Sequence, residues 1–188
     1  MRWLTLYARS RQVPASAAAV ALVALAVWAL HSPGPADLGT TVLVLTSNVA
    51  AVSIGLGGRD VMLERTAAIR WVPRRAAHVL LAGAFAGAAL LTVQAAGAKL
   101  APAEVVVRDS AGLVGSAALG AALFGAQFAW TLPTGWLAVT LLVPTPAGTA
   151  GEVVSWMTFP PGTAASTGTA WVLLATGTVL YAIAGPRR

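Results

Sequence analysis

The chain is built from long apolar runs, separated by short stretches that hold nearly all of its charge. An α-helix needs about 20 mostly apolar residues to cross the roughly 30 Å hydrocarbon layer of a bilayer. Six runs approach this length: Pro14–His31, Leu38–Gly57, Ala76–Ala98, Ser110–Phe128, Gly135–Val143 with its flanks, and Ala164–Ala184. The sequence therefore predicts an all-α polytopic integral membrane protein with about six transmembrane helices, forming a single transmembrane domain over residues 1–188.

Composition favours the same class of protein. The 188 residues are 57% hydrophobic and only 10% charged, whereas a soluble domain carries about a quarter charged residues. The net charge of +6 does not indicate nucleic acid as a partner, because the basic residues sit at the ends of apolar runs. The chain has no cysteine, which excludes disulfides and thiolate chemistry.

Two of the six runs have a second interpretation. Pro14–His31 follows a basic N-terminus and could be a signal peptide, but its apolar run is long and HSPGPAD offers no good cleavage site, which favours a retained helix. The fifth run is preceded by Pro133 and closed by Pro144 and Pro146. A re-entrant or tilted segment is the alternative there.

The distribution of basic residues predicts the orientation. With six spans and a cytoplasmic N-terminus, only Lys99 and Arg108 fall outside. The ten inside are Arg2, Arg9, Arg11, Arg59, Arg65, Arg70, Arg74, Arg75, Arg187 and Arg188. This positive-inside bias predicts a multi-pass protein of the bacterial cytoplasmic (inner) membrane with both termini in the cytoplasm.

The N-terminal residues 1–13 carry an amphipathic pattern. Trp3 and Tyr7 are four apart and would share one face of a helix, while Arg2, Arg9 and Arg11 could reach lipid headgroups. An interfacial helix on the inner leaflet and a basic tail that only fixes topology are both consistent with this pattern.

Residues 59–75 form the predicted cytoplasmic loop between the second and third spans. Its stretch VMLERTAAIRW has no proline or glycine, so it can form a short helix with a partly apolar face. The alternative is a basic loop that serves only topology. Residues 144–163 are predicted to form an outer re-entrant segment, in which Trp156, Met157 and Phe159 dip into the outer interface and pack on neighbouring helices.

Small and uncharged polar residues mark several helix faces. Gly83 and Gly87 are four apart, as are Gly112, Ser116 and Gly120, and such faces let helices approach closely. The polar groups at possible membrane depth are Gln94, Gln127 and the cluster Thr46, Ser47 and Asn48. They either bond between helices or line a translocation route.

No recognisable set of catalytic or metal-binding residues is present. The acids Asp37, Glu104, Asp109 and Glu152 are expected in outer loops or at helix ends, which disfavours ion-coupled transport. His31 and His78 lack metal-site spacing, and the single lysine, Lys99, is not in a phosphate-binding loop. We therefore expect no enzymatic activity, no catalytic residue, no metal and no cofactor.

Three motifs carry a resemblance to a known family. They are Asp60 followed by Leu63–Ala67 (D-x-x-LERTA), the stretch Trp71–His78 (W-x-PRR-A-x-H), and a late segment from Trp156 to Ala164 containing two prolines. With its six-span topology, the chain resembles the small permeases of ABC exporters, and more narrowly a group of actinobacterial membrane proteins associated with ABC transporters.

The resemblance implies a function and a set of partners. In such exporters the loop between spans two and three is a coupling helix that binds a separate ATPase subunit, and an outer re-entrant element lies between spans five and six. Carried to this chain, the contacts with the ATPase would be made by Arg59, Asp60, Met62, Leu63, Glu64, Arg65 and Thr66. A second permease copy or a related permease would complete the transporter in the lipid bilayer. The competing interpretation is a non-transporting membrane protein, such as an immunity factor or an assembly partner.

Overall fold

The computed structural model describes residues 12–30, 38–57, 71–98 and 100–187 of the chain. Within these ranges all regular secondary structure is helical. The seven α-helices are α1 (Val13–Leu30), α2 (Leu38–Ser53), α3 (Trp71–Ala95), α4 (Ala103–Phe124), α5 (Thr131–Leu142), α6 (Thr149–Val154) and α7 (Ala164–Ala184). Short 3₁₀ turns follow α2 at Ile54–Leu56 and precede α5 at Ala126–Phe128.

Four helical segments in the described part of the chain are long and apolar enough to cross a membrane: Leu38–Leu56, α3, α4 and α7. Val13–Ala29, within α1, is a shorter apolar helix. These helices confirm the predicted all-α polytopic membrane fold. A helix lies at each of the six predicted spans, but α5 has 12 residues and a length of about 18 Å, which is less than the hydrocarbon thickness.

α4 is the centre of the bundle. The 18-residue window that marks it as a span is 78% buried, and α4 packs against α2, α3, α5 and α7, with its most extensive contact on α7. Only small residues permit this arrangement. A Cβ atom added to Gly83 or Gly87 of α3 would come within 2.6 Å of Val114 Cγ1 or 2.9 Å of Ser110 Oγ of α4. The predicted close approach at these two glycines is therefore confirmed.

The contact between α4 and α7 is closer still, and it was not predicted. A Cβ atom on Gly177 of α7 would overlap the carbonyl oxygen of Gly115, and one on Gly115 would overlap the backbone of Leu173. Helices within a membrane gain little from burying apolar side chains against one another, because lipid is equally apolar. Van der Waals contact between closely packed backbones is therefore a main source of their association. Gly115 and Gly177 supply such a contact near the middle of each helix.

Polar groups bind the helices together at the end where α2, α4 and α7 terminate. The Tyr181 hydroxyl, which is fully buried, donates to the Leu56 carbonyl oxygen at 2.6 Å. Arg75 Nη1 donates to the Ala182 carbonyl oxygen at 3.5 Å, and Arg187 Nη1 donates to that of Leu123 at 3.3 Å. Both arginines thus sit on helix C-termini, where the helix dipole favours a positive charge.

Candidate functional site

The described residues place a buried ion pair, Arg108–Asp109, inside α4. Arg108 is 5% exposed and Asp109 is fully buried, and Arg108 Nε donates to Asp109 Oδ1 at 2.8 Å. An ionisable group buried in a membrane helix is costly, so it marks a functional site by default.

This position corrects one expectation from the sequence. Arg108 was expected in an outer loop, yet it lies in the second turn of α4; Asp109, expected in an outer loop or at a helix end, lies beside it near the start of that helix. The helix begins at Ala103, seven residues before the predicted start. Pro102 precedes the first turn and has no backbone N–H that would need a hydrogen-bond partner there. Glu104 adds a favourable negative charge in that first turn.

The guanidinium of Arg108 holds the 144–163 segment. Nη2 donates to the carbonyl oxygens of Phe159 at 3.0 Å and Met157 at 3.4 Å, and Nη1 donates to that of Pro160 at 3.3 Å. The chain leaves helical structure at these residues, so their carbonyl oxygens have no helical partner. A planar guanidinium with several fixed donors can satisfy three such oxygens at once.

Asp109 lowers the free-energy cost of burying the Arg108 guanidinium by neutralising its charge. Its Oδ1 atom accepts the bond from Arg108, while its Oδ2 atom is buried and has no hydrogen-bond partner among the described residues. A buried ion pair is tolerated only when its remaining donors and acceptors are largely satisfied. Arg108 meets this condition through the three carbonyls, and Asp109 meets it in part.

The 144–163 segment packs into the bundle through Trp156 and Met157, which are both fully buried. The Trp156 indole lies against Gly112 of α4, where a Cβ atom would overlap the ring. It also meets the Trp136 ring of α5 edge to face, with the ring centroids 6.4 Å apart. This packing agrees with the expectation that the segment lies on neighbouring helices, whereas Phe159 is only partly buried.

Hydrogen bonds join the same segment to α5 and α7. Trp136 Nε1 donates to the Val154 carbonyl oxygen at 2.7 Å, and the Ser166 hydroxyl of α7 donates to that of Glu152 at 3.1 Å. The segment is therefore fixed to three helices, α4, α5 and α7, through named contacts. Its placement at the outer interface of the membrane stays a prediction.

The polar residues singled out from the sequence have different environments. Gln94 Nε2 donates to the Ala101 carbonyl oxygen at 2.5 Å, which ties the end of α3 to the residues just before α4, and Gln127 is exposed. Ser47 Oγ bonds to the Leu43 carbonyl oxygen at 2.8 Å within its own helix. Thr46 and Asn48 are buried, and their side-chain polar atoms have no described partner.

Other predicted residues lie outside the described part of the chain. All seven proposed ATPase contacts are among them: Arg59, Asp60, Met62, Leu63, Glu64, Arg65 and Thr66. The amphipathic N-terminus up to residue 11 lies outside it as well. Across the described ranges, no group of three His, Cys, Asp or Glu side chains is placed to hold a metal ion.

Sequence reasoning missed the Arg108–Asp109 pair as a site, although a signal was available. Two adjacent opposite charges follow a proline by six and seven residues and precede an unbroken apolar run. That pattern is consistent with a helix whose first two turns carry the charges. Comparison of the whole chain with protein-family models, curated proteins and solved structures finds no match.

Proposed function

We propose that this chain is the membrane-spanning permease subunit of an ABC exporter, which couples ATP hydrolysis by a separate ATPase subunit to export. The observation that carries the proposal is the 144–163 segment between α5 and α7. Its Trp156 and Met157 are buried, and Arg108 binds three of its carbonyl oxygens. The exporters that the chain resembles have a packed outer element at the same place in their topology.

In this transporter, the 59–75 loop would bind the ATPase subunit. Its D-x-x-LERTA motif carries the resemblance to the coupling helix of such exporters. Leu63 and Met62 would be the apolar contacts, and Arg59, Glu64 and Arg65 the polar ones. The basic residues of this loop also account for the predicted cytoplasmic side, where an ATPase would bind.

The substrate route is proposed to lie between two permease subunits. Within one copy, the backbones of Gly115 and Gly177 touch, so α4 and α7 leave no passage between them near their middle. A second copy, or a related permease, would provide the opposite wall, and transport would follow rigid-body rocking of the two halves. The sparse charge of the helices favours an amphiphilic or apolar substrate.

Two substitutions in the loop test the proposal. Leu63→Asp removes an apolar contact, and Glu64→Arg reverses a charge; a desolvated like-charge or unpaired contact costs a few kcal/mol. Both variants should insert normally, yet lose the ATPase subunit on co-purification and lose substrate-stimulated ATP hydrolysis. Glu152→Arg, the same charge reversal in the 144–163 segment, serves as the control and should keep the ATPase bound.

The opposite result identifies a different class of protein. Both loop variants keep all the arginines, so a loop that serves only topology should tolerate them. If both retain the ATPase and its stimulated hydrolysis, the coupling-helix assignment is wrong. If the unmodified chain purifies with other membrane proteins and no ATPase, it is a non-transporting assembly partner.

A further inference from the structure

A groove lies between the first turns of α4 and α7, with a volume of about 540 Å³. We call it the α4–α7 groove, and its walls include Glu104, Val107, Arg108, Pro161, Thr167 and Trp171. It adjoins the Arg108–Asp109 pair, but the bonds that hold the 144–163 segment do not fill it. The groove is therefore a separate surface, next to the hydrogen bonds between Arg108 and the 144–163 segment.

Glu104 gives the groove a negative charge that no described residue pairs with. Glu104 is exposed, and its carboxylate has neither a hydrogen bond nor an ion pair with any described residue. The positive charge of Arg108 is already matched by Asp109 at 2.8 Å. Charge complementarity thus favours an occupant that presents a cationic group at Glu104 and disfavours an anionic one.

Arg108 borders the groove, but its donors are already engaged. The residue is 5% exposed, and Nε, Nη1 and Nη2 donate to Asp109 and to three backbone carbonyl oxygens. Glu104 and Arg108 are four residues apart in α4, so they lie on the same side of the helix, about 6 Å apart along its axis. Glu104 is therefore the charged group that the groove offers to a ligand.

The remaining walls suit the boundary between lipid headgroups and acyl chains. Trp171 is 48% exposed and Val107 is 49% exposed, so an indole ring and an aliphatic side chain face outward beside the charged groups. Tryptophan favours headgroup depth in membranes, and the face of its ring attracts cations. A ligand that fits these walls has an ammonium group and an apolar remainder.

We propose that the α4–α7 groove binds the headgroup of phosphatidylethanolamine from the surrounding membrane. The primary ammonium would donate to the Glu104 carboxylate, and the glycerol and upper acyl chains would lie on Trp171. Phosphatidylglycerol lacks the cation, and phosphatidylcholine has a cation without N–H donors. The inference does not depend on an ATPase partner.

Lipid titration of the purified full-length chain tests this assignment. Native mass spectrometry from detergent micelles would measure the binding of phosphatidylethanolamine, phosphatidylcholine and phosphatidylglycerol, each with the same acyl chains. Phosphatidylethanolamine should bind most tightly. Glu104→Gln removes the charge and should weaken that binding about tenfold, which is the effect of losing one charge-assisted hydrogen bond, while leaving phosphatidylglycerol binding unchanged or stronger.

Glu152→Gln is the matched control, since it removes a carboxylate in the 144–163 segment outside the groove, and its lipid preference should equal that of the unmodified chain. Trp171→Leu keeps an apolar wall but loses the ring face that attracts cations, so it should weaken the binding of phosphatidylethanolamine more than that of phosphatidylglycerol. Equal binding of the three lipids by the unmodified chain overturns the proposal. So does a Glu104→Gln variant that keeps the preference for phosphatidylethanolamine.

Discussion

Replacing Arg108 by methionine tests how much the buried ion pair stabilises the fold. The substitution removes every donor of the guanidinium but keeps an unbranched apolar side chain. Asp109 is 0% exposed and would be left as an unpaired buried charge. The carbonyl oxygens of Met157, Phe159 and Pro160 would lose the bonds from Arg108, and only that of Pro160 keeps a second donor among the described residues, the Thr163 hydroxyl. Breaking a buried pair in this way costs about 3–5 kcal/mol of unfolding free energy.

A double substitution separates the charge from the packing. Arg108→Met combined with Asp109→Leu removes both charges and leaves apolar side chains, a change that is often close to neutral for a buried pair. We therefore expect the double variant to be more stable than Arg108→Met alone. The carbonyls of the 144–163 segment lack the Arg108 donors in both variants, so this comparison isolates the effect of the stranded Asp109 carboxylate. With Asp109→Leu alone as the fourth member of the cycle, the coupling energy between the two residues should exceed about 1 kcal/mol.

The assay is unfolding in mixed micelles with a rising fraction of denaturing detergent, followed by circular dichroism and tryptophan fluorescence. Arg187→Met is the control, because Arg187 is exposed and its guanidinium donates to a single described carbonyl oxygen, that of Leu123 at 3.3 Å. It should change stability by at most about 1 kcal/mol. Equal losses for Arg108→Met and Arg187→Met, or a double variant less stable than Arg108→Met, would refute the reasoning.

The packing of α7 and its topology give two more predictions. Gly177→Ala places a Cβ atom on the Gly115 backbone and should destabilise the fold by about 1–3 kcal/mol. The control, Gly168→Ala in the same helix, meets nothing within 4 Å and should be neutral or stabilising. Equal effects of the two substitutions in unfolding assays would contradict the described contact. Single cysteines at Ser32 and Arg188 test the orientation on whole cells with a membrane-impermeant thiol reagent, and labelling at Arg188 without labelling at Ser32 would overturn the cytoplasmic assignment of the termini.

The apolar helices could be predicted well because hydropathy is a local property. The last span was predicted as Ala164–Ala184, and α7 has those bounds. The start of α4 could not be placed in this way, because Glu104, Arg108 and Asp109 were taken to exclude membrane depth. The groups that make Arg108 tolerable there are the carbonyls at positions 157–160, about 50 residues further along the chain. A local pattern does not reveal such partners.

Some of the close helix contacts could likewise be predicted from the sequence, and others could not. Gly83 and Gly87 form a four-residue pattern within one helix, so their role was visible in the sequence, and the structure confirms it. Gly115 and Gly177 lie on different helices, and neither was part of a pattern singled out in the sequence. In a chain with 19 glycines, nothing local indicates which two will meet. Pairing of this kind depends on the depth and rotation of both helices.

The bonds of Tyr181 and Arg75 give the last helix a mechanical role. Leu56, just before the 59–75 loop, and Arg75, the last residue of that loop, are both bonded to the final turn of α7. A displacement of these two residues is therefore passed directly to α7. Gly177 of α7 touches the α4 backbone directly, so α4 and α7 are expected to move together. At the N-terminal end of α4, Arg108 links the pair to the 144–163 segment. A displacement at the C-terminal ends of these two helices therefore reaches that segment through a short series of direct contacts.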